Sequence, residues 1–299
     1  MDYFDDMKKH TLWVEKFRPT NLDTYLGNED FVEGVREWIT KNDFPNLLLF
    51  GTAGTGKTTA AKLITSNINC DSLYINCSDE NGIDTIREKV KQFASAASFQ
   101  PVKVVVLDEA DFLTINAQAA LRNVIETFSL NTRFIFTCNY VERIIEPLQS
   151  RLALYRLETP SKPQVLKHVI NILDQESITY TKEGLAKYIN NFYPDIRRII
   201  NSLQSSVKNN TIVESNLQKS NPTKEVIDEL NKRSKDSFTK IRQIIADTDL
   251  RDFTDLYRAL FDNTSSASDI IIIAEGQYQS VTAVDKEINF MSTIAKLLS

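Results

Sequence analysis

Leu47-Leu48-Leu49-Phe50-Gly51-Thr52-Ala53-Gly54-Thr55-Gly56-Lys57-Thr58 decides how this chain is read. Four apolar residues suited to a buried strand run into the pattern GxxxxGK[ST], and a stretch of helical periodicity follows over 57–68. Strand, glycine-rich turn and helix are the context in which that pattern binds phosphate. Glycines let successive backbone N–H groups curl around phosphate oxygens, and the helix N-terminus adds its partial positive charge. The expected nucleotide contacts are Gly54, Thr55, Gly56, Lys57, Thr58 and Thr59. Lys57 would reach the β- and γ-phosphates of ATP, and Thr58 would place its hydroxyl on Mg²⁺. Three of the chain's eight glycines fall in this one loop.

Outward from the loop, short apolar runs alternate with amphipathic stretches. Strands are expected at Leu47–Phe50, Leu73–Asn76, Val102–Asp108, Arg133–Cys138 and Ala153–Leu157, and helices near 28–41, 57–68, 83–98 and 115–128. Strands apolar on both faces and separated by helices predict a parallel sheet sandwiched between helical layers. After Thr159-Pro160-Ser161-Lys162-Pro163 the strands are expected to stop. Helical periodicity continues over 163–176, 182–192 and 195–208, a polar linker is expected over 209–223, and further helices over 224–299. A length of 299 residues suits about two domains, or three small ones.

Composition removes several function classes. The net charge of −5 excludes a freestanding non-specific DNA coat, although a local basic strip can still meet phosphates. Three cysteines at unrelated spacings exclude a disulfide framework and a cysteine zinc site, and two histidines make a histidine triad or metal cage improbable. No apolar run approaches the ~20 residues of a membrane span, and the polar start MDYFDDMKKH shows no signal peptide. The expectation is a cytoplasmic protein without membrane partners.

A second motif follows about fifty residues after the first. Val104-Val105-Val106-Leu107-Asp108-Glu109 is an apolar strand ending in two carboxylates. Asp108 would hold the metal, and Glu109 would polarise the attacking water. Asp111 completes the run DEAD, also found in RNA helicases, but those need a second such domain and none is visible after residue 160. Asn139 ends another apolar strand, where it is either a turn residue or a group that orients water or senses the γ-phosphate. Arg151, in Gln149-Ser150-Arg151, and Arg197, in Pro194-Asp195-Ile196-Arg197-Arg198, read by themselves as surface ion-pair partners. On the 83–98 helix, Arg87 and Lys91 share a face, as adjacent phosphate contacts would. Asp84 and Glu88 lie one residue round, so a solvated mixed-charge face is the competing reading. Gln118 and Arg122 share a face of the next helix.

Together these residues resemble the AAA+ clamp-loader ATPases of the replication factor C small-subunit type. The resemblance begins at Trp13-Val14-Glu15-Lys16-Phe17-Arg18-Pro19 and Leu26-Gly27-Asn28-Glu29 and continues through both motifs, Asn139, Ser150-Arg151 and Arg197. Phe93-Ala94-Ser95-Ala96-Ala97-Ser98-Phe99 and Glu275-Gly276-Gln277-Tyr278-Gln279 are further similar to the large clamp-loader subunit of T4-type phages. The match is good over 12–205 and looser over 224–299. It departs at Gly51-Thr52-Ala53-Gly54, where the family usually has Gly-Pro-Pro-Gly, and at Ser150-Arg151-Leu152 for Ser-Arg-Cys. Asn81 stands where relatives often carry a basic residue.

The resemblance implies an AAA+ α/β domain (1–159, a five-stranded parallel sheet between helices), a small helical lid with linker (160–222) and an all-helical oligomerising collar (223–299). It implies that Val14, Glu15, Lys16, Phe17, Arg18 and Leu26 belong to the box over the adenine. Asn139 would be sensor 1, Arg197 the lid arginine on the same ATP, and Arg151 a finger reaching the neighbouring subunit's ATP. Arg87 and Lys91 would track DNA, and Gln118 and Arg122 would couple the nucleotide site to the interface. The implied partners are a sliding clamp, a companion small subunit, further copies of the chain in a partial, pentameric ring, and primer–template DNA. The alternatives are an AAA+ remodeller or branch-migration motor, and a scaffold subunit without catalysis.

Overall fold

The computed structural model describes residues 12–80, 82–212, 222–234, 236–248 and 253–298. The chain divides into two compact units, 1–212 and 213–299.

The first unit is built on a parallel sheet of β1 (Leu47–Phe50), β2 (Cys70–Asn76), β3 (Val102–Asp108), β4 (Thr132–Cys138) and β5 (Ala153–Arg156). Their spatial order is β2-β3-β4-β1-β5. Ahead of β1 come α1 (Trp13–Lys16) and α2 (Glu29–Lys41), and between the strands run α3 (Lys57–Asn67), α4 (Ile83–Ser95), α5 (Ile115–Thr127) and the single turn α6 (Glu146–Gln149). Every residue of β3 is buried. Its side chains alternate between two cores: Val105 and Leu107 join Leu121, Val124 and Phe134 on one face, while Val104 and Val106 join Val35, Ala61 and Ile64 on the other. That two-sided burial is why these strands read as continuous apolar runs rather than alternating ones.

Lys103 is the exception inside β3, only 3% exposed. Its Nζ donates to the carbonyl oxygens of Phe93 at 2.7 Å and Ala94 at 3.2 Å and to that of Ala96. A cation thereby closes the C-terminal end of α4, where unpaired carbonyls and the negative end of the helix dipole favour it.

Three helices complete the unit: α7 (Lys162–Gln175), α8 (Lys182–Phe192) and α9 (Ile196–Ser205). Ser161 and Gln164 form a capping box that starts α7. The expectation that strands stop after residue 163 needs correction. A short antiparallel hairpin, β6 (Val207–Lys208) with β7 (Thr211–Ile212), occupies the end of the expected third helix and the start of the expected linker. Asn209 and Asn210 at its tip hold φ of 49° and 56°. Asparagine tolerates this left-handed backbone, and two such residues in succession make the tight turn that joins hairpin strands.

The second unit is helical throughout its described residues: α10 (Pro222–Lys232), α11 (Ser237–Thr248), α12 (Thr254–Asn263), α13 (Ala267–Ser280) and α14 (Lys286–Leu298). Val226, Ile241, Ile245, Tyr257, Phe290 and Ile294 form its core. Gly276 lets α13 approach α14, because a Cβ there would lie 2.1 Å from Thr293 Oγ1. Ile271, Tyr278, Val281, Val284 and Ile288 remain exposed.

Candidate active site

β1, β3 and β4 lie within one run of the sheet, so the turns leaving their C-terminal ends converge on one edge. In open parallel sheets this is where ligands bind. Gly54 and Gly56 hold φ of 81° and 91°. A Cβ on Gly54 would stand 2.9 Å from Asp195 Oδ1, and one on Gly56 would stand 3.1 Å from the Tyr25 hydroxyl. Backbone conformation and space therefore both call for glycine. Helix α3 begins immediately at Lys57 with no side-chain cap, which leaves the first-turn N–H groups for a ligand.

Lys57 is 9% exposed, and its Nζ donates to the carbonyls of Gly51 and Thr52, both at 2.8 Å. Burial draws its ammonium below the usual lysine range, a shift opposed by the carboxylates of Asp111, Asp108 and Glu109. The Asp108 carboxylate accepts from Thr58 Oγ1, at 3.0 Å to each oxygen, and from the hydroxyls of Thr137 and Tyr74. A hydroxyl and a carboxylate this close are hard oxygen donors, suited to a Mg²⁺ ion that keeps most of its shell for water and phosphate. Among the described residues, no group of three His, Cys, Asp or Glu side chains is placed to hold a metal unaided.

Glu109 follows in the left-handed region at φ 56°, and its N–H donates to Thr137 Oγ1 at 3.0 Å. A non-glycine residue there costs on the order of 1 kcal/mol, and such strain gathers at functional sites. The turn brings Glu109 into the lining of the same cleft as Lys57, Thr58 and Asp108. At the end of β4, Asn139 also lines the cleft, with its N–H on Asp111 Oδ2 at 3.3 Å. Burial pushes the thiols of Cys77 and Cys138 up to about 12 and that of Cys70 to about 11, so all three stay protonated and unreactive as nucleophiles.

The remaining wall comes from both ends of the first unit. Val14, Phe17, Arg18 and Leu26 line it from the N-terminal side, and Arg197 from α9. The Trp13 N–H, donating to Gln204 Oε1 at 2.9 Å, ties the two sides together. Gly54, Thr55, Gly56 and Thr59 complete the expected set around the loop. Two of the six residues expected in the adenine box do not line the cleft by side chain: Glu15 pairs with Arg18 at 2.8 Å, and Lys16 pairs with Glu176. Tyr25, Thr137, Cys138, Pro160, His168, Ile196 and Ile200 also line it and were not anticipated. Tyr25 and Cys138 sit beside anticipated residues, so sequence adjacency could have found them. His168 carries no local signal.

Arg151 is elsewhere. Its Nε donates to Glu126 Oε1 at 2.7 Å and its Nη1 to the Pro147 carbonyl at 2.7 Å, and it does not line its own chain's cleft. Gln118 is 1% exposed and bridges two segments. Its Nε2 donates to the carbonyls of Leu113 (3.2 Å) and Arg143 (3.0 Å), and its Oε1 accepts from the Ile145 N–H at 2.8 Å. It thus links the turn after Asp108–Glu109 to the segment after Asn139. Arg122, one turn on, is half-buried, with Nη2 3.4 Å from Asn123 Oδ1. Arg87 and Lys91 are exposed on α4. Among the described residues neither is ion-paired, whereas Lys89 between them pairs with Glu80. Asn81 lies outside the described residues.

Comparison with known proteins accords with this geometry. Residues 47–157 match the family model described as "ATPase family associated with various cellular activities (AAA)". The replication factor C small subunit of Archaeoglobus fulgidus is 39% identical over 70% of this chain and 68% of its own length. That of Sulfolobus acidocaldarius is 40% identical over 67% and 64%, and that of Thermofilum pendens is 34% identical over 96% of both chains. A structure of the Thermotoga maritima RuvB Holliday junction branch migration motor superposes with a TM-score of 0.58 over 72% of this chain and 79% of that one. At 16% identity, that likeness speaks for the fold alone.

Proposed function

The chain belongs to the replication factor C small-subunit family, and on that premise we propose that it is the ATP-hydrolysing subunit of a sliding-clamp loader. It would open the polymerase processivity clamp and place it on primer–template DNA during replication. The observation that carries this reading is the separation of Arg151 from its own cleft. Every other charged group that phosphoryl transfer calls for lines that cleft, while the arginine that would finish it is held on another surface by Glu126. Such a site is completed by a neighbour, and hydrolysis then depends on assembly.

In this reading Lys57 leaves the Gly51 and Thr52 carbonyls to hold the β- and γ-phosphates, and the loop N–H groups wrap the same oxygens. Thr58 and Asp108 hold Mg²⁺, which when bound neutralises charge on the phosphates. Glu109 accepts the proton of the attacking water, Asn139 orients that water, and Arg197 contacts the same ATP from the lid. Arg151 of one subunit stabilises the charge on the phosphoryl group in the next. Gln118, with Arg122 beside it, carries changes between the Glu109 turn and the segment that leads to Arg151. ATP would close adjacent subunits around DNA, and loss of the γ-phosphate would release them.

The finer parts of the proposal are a domain division of 1–159, 160–222 and 223–299, kinship with T4-type phage loaders, a pentameric ring with a companion subunit, and residence in the cytoplasm. The exposed apolar residues of α13, α14 and the turn between them support the collar as an assembly surface. Among the described residues no helix is long and apolar enough to cross a membrane. The test is steady-state ATPase of the co-purified complex. Clamp and primed DNA added together should raise turnover well above either alone, whereas an unresponsive rate would point to the remodeller or motor instead.

A further inference from the structure

We infer that His168 reads the nucleobase: its imidazole hydrogen-bonds the polar edge of the base held at the apolar end of the cleft. The inference rests on the nucleotide reading of that cleft and adds a specificity residue to it. The glycine loop fixes one end of the cleft for phosphate. Val14, Phe17, Leu26, Pro160, Ile196 and Ile200 line the remainder, offering apolar surface to the flat faces of a purine. Such walls leave the hydrogen-bonding edge of the base unprovided for, and a buried polar group without a partner is costly.

Besides the loop and the groups beside it, four polar side chains line the cleft, and three are already engaged, either with other residues or in the proposed chemistry. The Tyr25 hydroxyl donates to the Gly56 carbonyl at 3.5 Å. Arg18 pairs with Glu15 at 2.8 Å. Arg197 is the proposed phosphate contact of the lid. His168 is the fourth, and it forms no hydrogen bond among the described residues. It sits on α7 between Val165 and Val169, both buried, so the helix holds it against the cleft. Burial lowers its pKa from the ordinary histidine value, which keeps the ring neutral near pH 7. A neutral imidazole offers one N–H donor and one bare nitrogen acceptor. Adenine carries both complementary groups on its edge.

The test compares two ligands by isothermal titration on the full chain at pH 7.5. ATP carries the base, and inorganic tripolyphosphate does not. His168→Phe keeps an aromatic ring of similar reach and removes both hydrogen-bonding atoms. ATP affinity should fall about tenfold, matching the loss of one buried hydrogen bond, while tripolyphosphate affinity stays as in the wild type. His168→Gln should recover part of the loss. Should Phe strain the lid, His168→Ala compared with Gln gives the same contrast. Unchanged ATP affinity in the Phe or Ala variant overturns the inference, as does an equal fall for both ligands, which would mark a structural role. A wild-type chain that binds neither ligand overturns the nucleotide reading itself.

Discussion

Lys57 and Glu109 divide binding from chemistry at the scale of single residues. Lys57 is buried and already hydrogen-bonded to two loop carbonyls, so an arriving phosphate must replace those bonds with stronger, charge-assisted ones. Lys57→Ala should cost roughly 1.5–3 kcal/mol, an ATP affinity at least about tenfold weaker by titration; unchanged affinity in a folded variant would remove the loop from phosphate binding. Glu109→Gln preserves size and the left-handed turn but loses the base. ATP should still bind while turnover falls by about 10²–10⁴, measured as steady-state phosphate release; normal turnover would take Glu109 out of catalysis. Both residues were legible in the sequence because their requirements are local. A loop needs glycines where φ is positive, and a metal site needs a carboxylate where a buried strand ends. His168 was not legible. It reaches the cleft from a distant segment, and nothing in its neighbours' pattern distinguishes it from an ordinary core residue.

At the scale of elements, α4 joins the sheet to the proposed DNA surface. Lys103 anchors its C-terminal end from inside β3, and Arg87 and Lys91 stand exposed on it. From the sequence alone Lys103 has no assigned role; only the fold shows that it closes a helix ending at Ser95. The strands and helices of the sheet were readable because two-sided burial leaves continuous apolar runs. The 207–212 hairpin was missed because two residues per strand are too few to show a period, and only the Asn209-Asn210 pair marked it. Replacing Arg87 and Lys91 by Ala should weaken DNA binding across sequences. The slope of log affinity against log salt should flatten by about two phosphate contacts. ATP affinity should not change. An unaltered slope would return this face to the role of a solvated, mixed-charge surface.

At the scale of the whole molecule, the cleft and the proposed finger, Arg151, belong to different places on one chain. The cleft gathers Lys57, Thr58, Asp108, Glu109, Asn139 and Arg197, while Arg151 turns aside to Glu126. From sequence, Arg151 could be read either as a finger or as a surface ion-pair partner. In the single chain it is an ion-pair partner, and the ring is what would give it the other role. Arginine fingers are worth about 10³–10⁵ in turnover, so the claim that two chains build one site has a direct measurement. Subunits carrying Arg151→Ala and subunits carrying Lys57→Ala are assembled separately and as mixtures, and clamp- and DNA-stimulated ATPase is recorded for each. Either variant alone should be inactive, and mixed rings should regain part of the activity at interfaces that pair an intact cleft with an intact Arg151. Mixed rings that assemble yet stay as inactive as both parents would contradict the account.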